Sequence, residues 1–165
     1  MVRQLQSSKE NLKVKLMIIE ILKSLFDRDL NRLRNEINLY KNENNLWKVD
    51  KQIENSAGNL CLHLIGNLNT YIGAGIGKTN YTRNRELEFS LKNISKAALI
   101  ENIEKTFEIV ATSLDKLTDE KLDKEYPILV FETKTSTGYL LIHLTTHLTY
   151  HLGQINYHRR LLDLD

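Results

Sequence analysis

The chain has 165 residues, enough for one packed domain, and its 41% hydrophobic and 27% charged residues are an ordinary globular balance. Its 23 basic and 21 acidic side chains leave a net charge of +2, which excludes the strong positive field of a nucleic-acid-binding or membrane-surface protein. A single cysteine, Cys61, excludes an intramolecular disulfide, and one proline with seven glycines suits a helical protein.

In chain order, the apolar run Leu16 to Ile19, flanked by Lys13, Lys15 and Glu20, is too short for a transmembrane helix or a signal peptide. The expectation is a soluble, cytoplasmic protein. A first helix covers Asn11 to Tyr40, where Ile19, Leu22, Phe26, Leu30, Leu33, Ile37 and Tyr40 recur at three- and four-residue spacing. Asp27, Arg28, Arg32, Arg34 and Glu36 read as its solvated face. The polar run Lys41 to Asn45 ends it, and a loop follows to Asn55 with Trp47 pinned to the surface. Ser56 caps a second helix to about Gly75, packed through Leu60, Leu64, Leu68, Tyr71 and Ile72. Asn59, His63 and Asn67 form a polar edge beside that stripe. The ending Ile72-Gly73-Ala74-Gly75-Ile76-Gly77-Lys78-Thr79 is no P-loop, because the position that needs the first glycine holds Ile72 and the stretch closes a helix. Its glycines read as a helix C-cap.

Tyr81 to Phe89 is a charged connection in which Arg83 and Arg85 either pair with Glu86 and Glu88, the favoured reading, or face an anionic substrate. Ser95 caps a third helix to about Leu117, packed through Ile100, Ile103, Phe107, Val110, Leu114 and Leu117, with Glu101, Glu104, Lys105, Glu108 and Lys116 outside. Thr118 to Glu120 reads as a turn. A long connection follows, holding Pro127 and a short extended piece from Ile128 to Phe131, until Thr135, Ser136 and Thr137 offer N-caps for the last helix.

That helix, Leu140 to Leu161, carries four of the five histidines. With His143 at zero, Gln154, His147, His158 and His151 fall at roughly 20°, 40°, 60° and 80° around a helix. Leu144, Ile155, Leu148, Leu141 and Leu152 follow between roughly 100° and 180°, and Thr145, Thr149, Gly153, Asn156 and Arg160 take the watered side. Histidines bordering a buried stripe need partners, and a cluster of them most naturally shares a metal. His63 is the natural third ligand from a facing helix. The four-residue spacing alone leaves open which pair of His143, His147 and His151 joins it. His158 reads as an outer partner or a surface group, and Cys61, turned about 200° from His63, as a buried small apolar residue.

Four long amphipathic segments imply an all-α four-helix bundle with connections long enough to cross over. Asn59-Leu60-Cys61-Leu62-His63, together with His147-Leu148-Thr149-Tyr150-His151-Leu152-Gly153-Gln154, resembles the DinB superfamily, in particular a branch of unknown function. The likeness extends to Asn55–Leu60 and to the stretch from Arg83 and Arg85 to Phe89, and so over most of the chain. The resemblance implies a bundle of the DinB type, often dimeric, with a divalent metal, typically zinc or nickel, on His63, His147 and His151. The Gly-Gln ending selects His147 and His151 over His143. Where the superfamily commonly has arginine after the final histidine, this chain has Leu152. Relatives of that kind include metal-dependent transferases of low-molecular-weight thiols, and others suggest hydrolases.

Three protein ligands leave coordination open for substrate, and a divalent ion lowers the pKa of a water or thiol that it binds. Gln154, Asn67, Asn59 and His143 are candidates to orient ligands or substrate. The reading is an enzyme acting on a small molecule, with a low-molecular-weight thiol as one partner and the protein as a homodimer. The alternative is a metal-stabilised bundle without catalysis that serves as a binding or stress-associated domain. Because ligand imidazoles must be neutral, metal release is expected as pH falls below about 6.

Overall fold

A computed structural model describes the backbone of residues 2–164 and the side chains of residues 17–164. Lys13, Lys15 and Leu16, cited above, lie outside the described side chains. Among the described residues the protein is all-helical, with one isolated β-bridge between Glu125 and Ser136 and no strand. The helices are α1 (Val2–Asn38), α2 (Ala57–Leu68), α3 (Arg85–Ser90), α4 (Lys96–Leu114), α5 (Asp119–Asp123) and α6 (Thr137–Leu162). A 3-10 turn covers Glu43–Trp47, and α2 runs on as a π-helix, Asn69–Gly77. Ser56, Ser95 and Ser136 cap α2, α4 and α6, each accepting the backbone N–H three residues on. No helix is long and apolar enough to cross a membrane among the described residues.

The apolar stripes read from the sequence meet in one core. α1 packs against α4 and α6, and α2 packs against the same two helices. The four long helices therefore follow one another around the core in the order α1, α4, α2, α6. Segments 39–56 and 115–136 consequently lead to helices across the core rather than beside the ones they leave, which is why they are long. Each fastens itself as it crosses. Leu46 and Trp47 are buried in the first, and Leu122 and Tyr126 in the second. Trp47 is thus a core residue and not a surface pin: its indole lies over Gly58, where any Cβ would stand 2.7 Å from the ring.

Other expectations change for similar reasons. Thr118 to Glu120 opens α5, and the charged connection 81–89 runs into α3 from Arg85 onward. The 128–131 piece is irregular; Val130 and Phe131 pack on the core while Ile128 and Leu129 stay exposed. The left-handed residue that closes the π-helix is Lys78, at φ 61°, and none of the described glycines has positive φ. Gly75 and Gly77 serve close approach instead, since a Cβ at Gly75 would stand 1.8 Å from Tyr126 Oη and one at Gly77 2.1 Å from Ser113 Oγ.

Candidate metal centre

His63 lies on the inner face of α2, and His147 and His151 are one turn apart on α6, the helix that packs against it. One ligand atom from each histidine lies within 4.8 Å of the other two. His63 Nε2 and His147 Nε2 are 3.3 Å apart. Two nitrogens bound at about 2.0–2.1 Å to one tetrahedral zinc are separated by about 3.3–3.4 Å, so this pair already has the spacing of a shared ion. The half-buried His151 ring stands edge-on to both, with centroids 5.2 Å from His63 and 4.5 Å from His147.

Neighbouring groups decide which nitrogen each ring offers. His151 Nδ1 is 2.6 Å from Gln154 Oε1, an acceptor, so the ring donates there and keeps a lone pair on Nε2. His63 Nδ1 lies 3.0 Å from Glu88 Oε2. His147 Nδ1 is buried without a hydrogen-bond partner, so the ring makes its nitrogen contact through Nε2, which faces His63 Nε2. Burial holds His63 and His151 below the ordinary histidine value, against the opposing pull of Glu88 and Gln154 respectively. Burial, followed by the fields of His151, His63, His143 and Arg83, brings His147 down to about 4. All three rings are thereby held neutral, the form that binds metal. A three-imidazole donor set of this kind suits a divalent transition-metal ion.

The remaining candidates divide. Gln154 touches His151, as above. Asn59 acts one step removed: its Nδ2 donates to the carbonyls of Glu88 and Leu91, and its Oδ1 accepts from Ser56 and Lys92. Asn67, one turn beyond His63, is buried with its Oδ1 unpartnered. His143 packs edge-on to Phe131, with ring centroids 4.8 Å apart, and is not among the three converging rings. His158 departs from expectation: it is buried away from the cluster, accepting from Tyr40 Oη at 2.7 Å and donating to the Lys48 carbonyl at 2.9 Å. It fastens the 39–56 crossover to α6. Cys61 is fully buried, and burial pushes its thiol up to about 12, so it is inert as expected.

Sequence reasoning placed Glu88 in an ion pair with an arginine, which it forms with Arg83, but missed its contact with His63. The available signal was Gly66, a glycine inside α2 three residues after His63, whose missing side chain makes room for the carboxylate.

A cavity of about 470 Å³ opens beside His151, lined by Leu60, Tyr150, Gln154, Tyr157, Leu161 and the 52–55 segment. Of the three clustered histidines it is lined by His151, with neither His63 nor His147 in its wall. A smaller groove between α1 and α4, lined by Phe26, Leu30, Phe107 and Val110, contains none of the histidines.

A family model described as "Protein of unknown function (DUF1572)" matches residues 6–165. No curated protein and no solved structure matches the chain.

Proposed function

The chain belongs to the DUF1572 family, and we propose that it is a four-helix bundle of the DinB type holding a divalent metal ion, zinc or nickel, on His63, His147 and His151. The observation that carries this reading is the 3.3 Å approach of the His63 and His147 Nε2 atoms, with His151 beside them. When bound, such an ion supplies Lewis acidity and lowers the pKa of a thiol or a water. The protein's own groups hold the rest in place. Glu88 and Gln154 face the rear nitrogens of His63 and His151, so both rings present Nε2 inward. The cavity beside His151 has the volume for a small electrophilic substrate or a low-molecular-weight thiol, and Tyr150, Tyr157, Leu60 and Leu161 give it apolar surface. The reaction class is thiol transfer or hydrolysis. Association as a homodimer is supported by an exposed stripe along α6, formed by Tyr139, Ile142, Tyr150, Tyr157 and Leu161.

A second reading, a metal-stabilised domain without catalysis, is favoured by one fact. The carboxylate in contact with the cluster, Glu88, is already committed to Arg83 and His63 and is not free to act as a general base. Elemental analysis of untagged wild type beside His147→Ala and His143→Ala tests the shared premise. Near-stoichiometric zinc or nickel that is lost with His147 and kept with His143 is expected; wild type that stays metal-free after dialysis against both ions overturns it. Metal-dependent turnover in a panel of thiols, electrophiles and esters, abolished in His63→Ala, then separates the enzyme from the structural domain.

A further inference from the structure

α3 has barely two turns, yet it carries an acidic side chain into the interior behind a histidine. Glu88 is 5% exposed and is engaged at both oxygens. Oε1 accepts from Arg83 Nε at 2.6 Å, and Oε2 accepts from Arg83 Nη2 at 2.8 Å. This is the two-pronged pairing for which a guanidinium is shaped. His63 Nδ1 stands 3.0 Å from Oε2 and 3.2 Å from Nη2. Nη2 carries two hydrogens, one directed at Oε2 and one able to approach Nδ1, so the shorter contact, that of Nδ1 with the carboxylate, decides between them. A lone pair on Nδ1 facing a carboxylate oxygen at that distance would be repelled, so the proton of the neutral ring belongs on Nδ1. The lone pair is then on Nε2, facing His147.

The seat for this carboxylate is built in three ways. Gly66 leaves it room, for a Cβ there would stand 2.0 Å from Glu88 Oε1 and 2.8 Å from its Cδ. Asn59 grips the backbone on either side of Ser90 through the Glu88 and Leu91 carbonyls, each at 2.9 Å. Phe89 packs beside the His63 ring, with centroids 5.2 Å apart, and limits its rotation.

We propose that Glu88 is a positioning residue for the histidine cluster: clamped by Arg83 and seated over Gly66, it fixes His63 as the Nδ1–H tautomer and aims Nε2 at the site. The consequence for metal binding rests on the metal reading of that site, whereas the tautomer is a property of the protein alone. Partners of this kind typically change metal affinity by about 10–100-fold when removed. Zinc affinity measured by competition with a chromophoric chelator is therefore expected to fall by about that factor in Glu88→Gln, and a value within about threefold of wild type overturns the proposal. Removing one member of a buried pair also leaves the Arg83 charge uncompensated, so Glu88→Gln is accompanied by Gly66→Ala, which displaces the carboxylate without deleting it. Gly66→Ala is expected to weaken zinc binding in the same direction.

The decisive readout needs no variant. Long-range proton–nitrogen correlation spectra of metal-free wild type at about pH 8, where the rings are neutral, are expected to show His63 protonated on Nδ1. A predominant Nε2–H form overturns the proposal. A wild type that takes up no zinc overturns the metal reading instead, and the His63 tautomer in that same sample still decides whether Glu88 sets it.

Discussion

At the His147 ring, burial and three neighbouring imidazoles disfavour a proton, bringing the group down to about 4 from an unfolded value near 6.5. His63, His151 and His158 are lowered in the same direction, each first by burial. The sign of the effect on stability follows directly. Above about pH 6.5 both folded and unfolded chains hold these rings neutral, so the shift contributes nothing. Between about 6.5 and 4 the unfolded chain takes up protons that the folded chain refuses, and stability falls as pH falls. The metal-free protein is expected to lose on the order of 2 kcal/mol through His147 alone over that window, read as a falling urea midpoint. A midpoint that is flat from about pH 7 to 4.5 would contradict it. The same depression moves metal release below the pH of about 6 that ordinary histidines give, because protons compete less well for the ligands. Why one contact of the histidine cluster was legible in sequence and another was not is also a residue-scale matter. Four-residue spacing on a single helix determines that His147 and His151 share a face, whereas Glu88 reaches His63 only through the tertiary seat over Gly66.

At the scale of elements, the apolar stripe of α6 was legible, since Leu141, Leu144, Leu148, Leu152 and Ile155 are all in the core, but Leu140, which was not counted in it, and Thr145, which was assigned to water, are buried as well. Its other sides were not legible. Thr149 Oγ1 donates to Asp29 Oδ2 at 2.8 Å, and Asn156 and Arg159 both donate to Glu36, so the side assigned to water is in part a polar seam against α1. Periodicity separates apolar from polar faces but does not say which polar face meets another helix. His158 shows the same limit, since it shares the histidine stripe yet is claimed by Tyr40 and Lys48. Glycines are likewise interpretable only in place. A Cβ at Gly75 would drive out the Tyr126 hydroxyl, which donates to the Tyr71 carbonyl at 2.6 Å, while a Cβ at Gly153 would meet nothing within 4 Å. Gly75→Ala is therefore expected to destabilise by about 1–3 kcal/mol through overpacking. Gly153→Ala, exposed within α6, is expected to stabilise by about 1 kcal/mol through helix propensity. Thermal unfolding of the two variants beside wild type checks the pair, and equal shifts in the same direction would refute the distinction.

For the molecule as a whole, the histidine cluster joins α2 to α6 across 84 residues of sequence, between two helices on neighbouring corners of the core. The α6 side of this pairing is also where both crossovers are fastened. His158 holds segment 39–56, and the Thr137 backbone N–H, which donates to the Lys124 carbonyl at 2.8 Å, holds segment 115–136 at the start of α6. An ion bound only by the folded arrangement stabilises it by RT ln(1 + [L]/Kd), about 4 kcal/mol when free metal exceeds Kd about 1,000-fold. For a chain of this size each kcal/mol moves the melting temperature by about 2–4 °C, so chelation is expected to lower it by roughly 8–16 °C. The difference should vanish in His63→Ala and in His147→Ala, each of which removes a proposed ligand, and persist in His143→Ala, whose ring rests on Phe131 outside the three converging rings. Differential scanning calorimetry with and without chelator on these four proteins separates a metal that locks the helix pair from histidines that merely pack. In the second case wild type would melt at the same temperature in both buffers, and the His143 and His147 variants would not differ in their response.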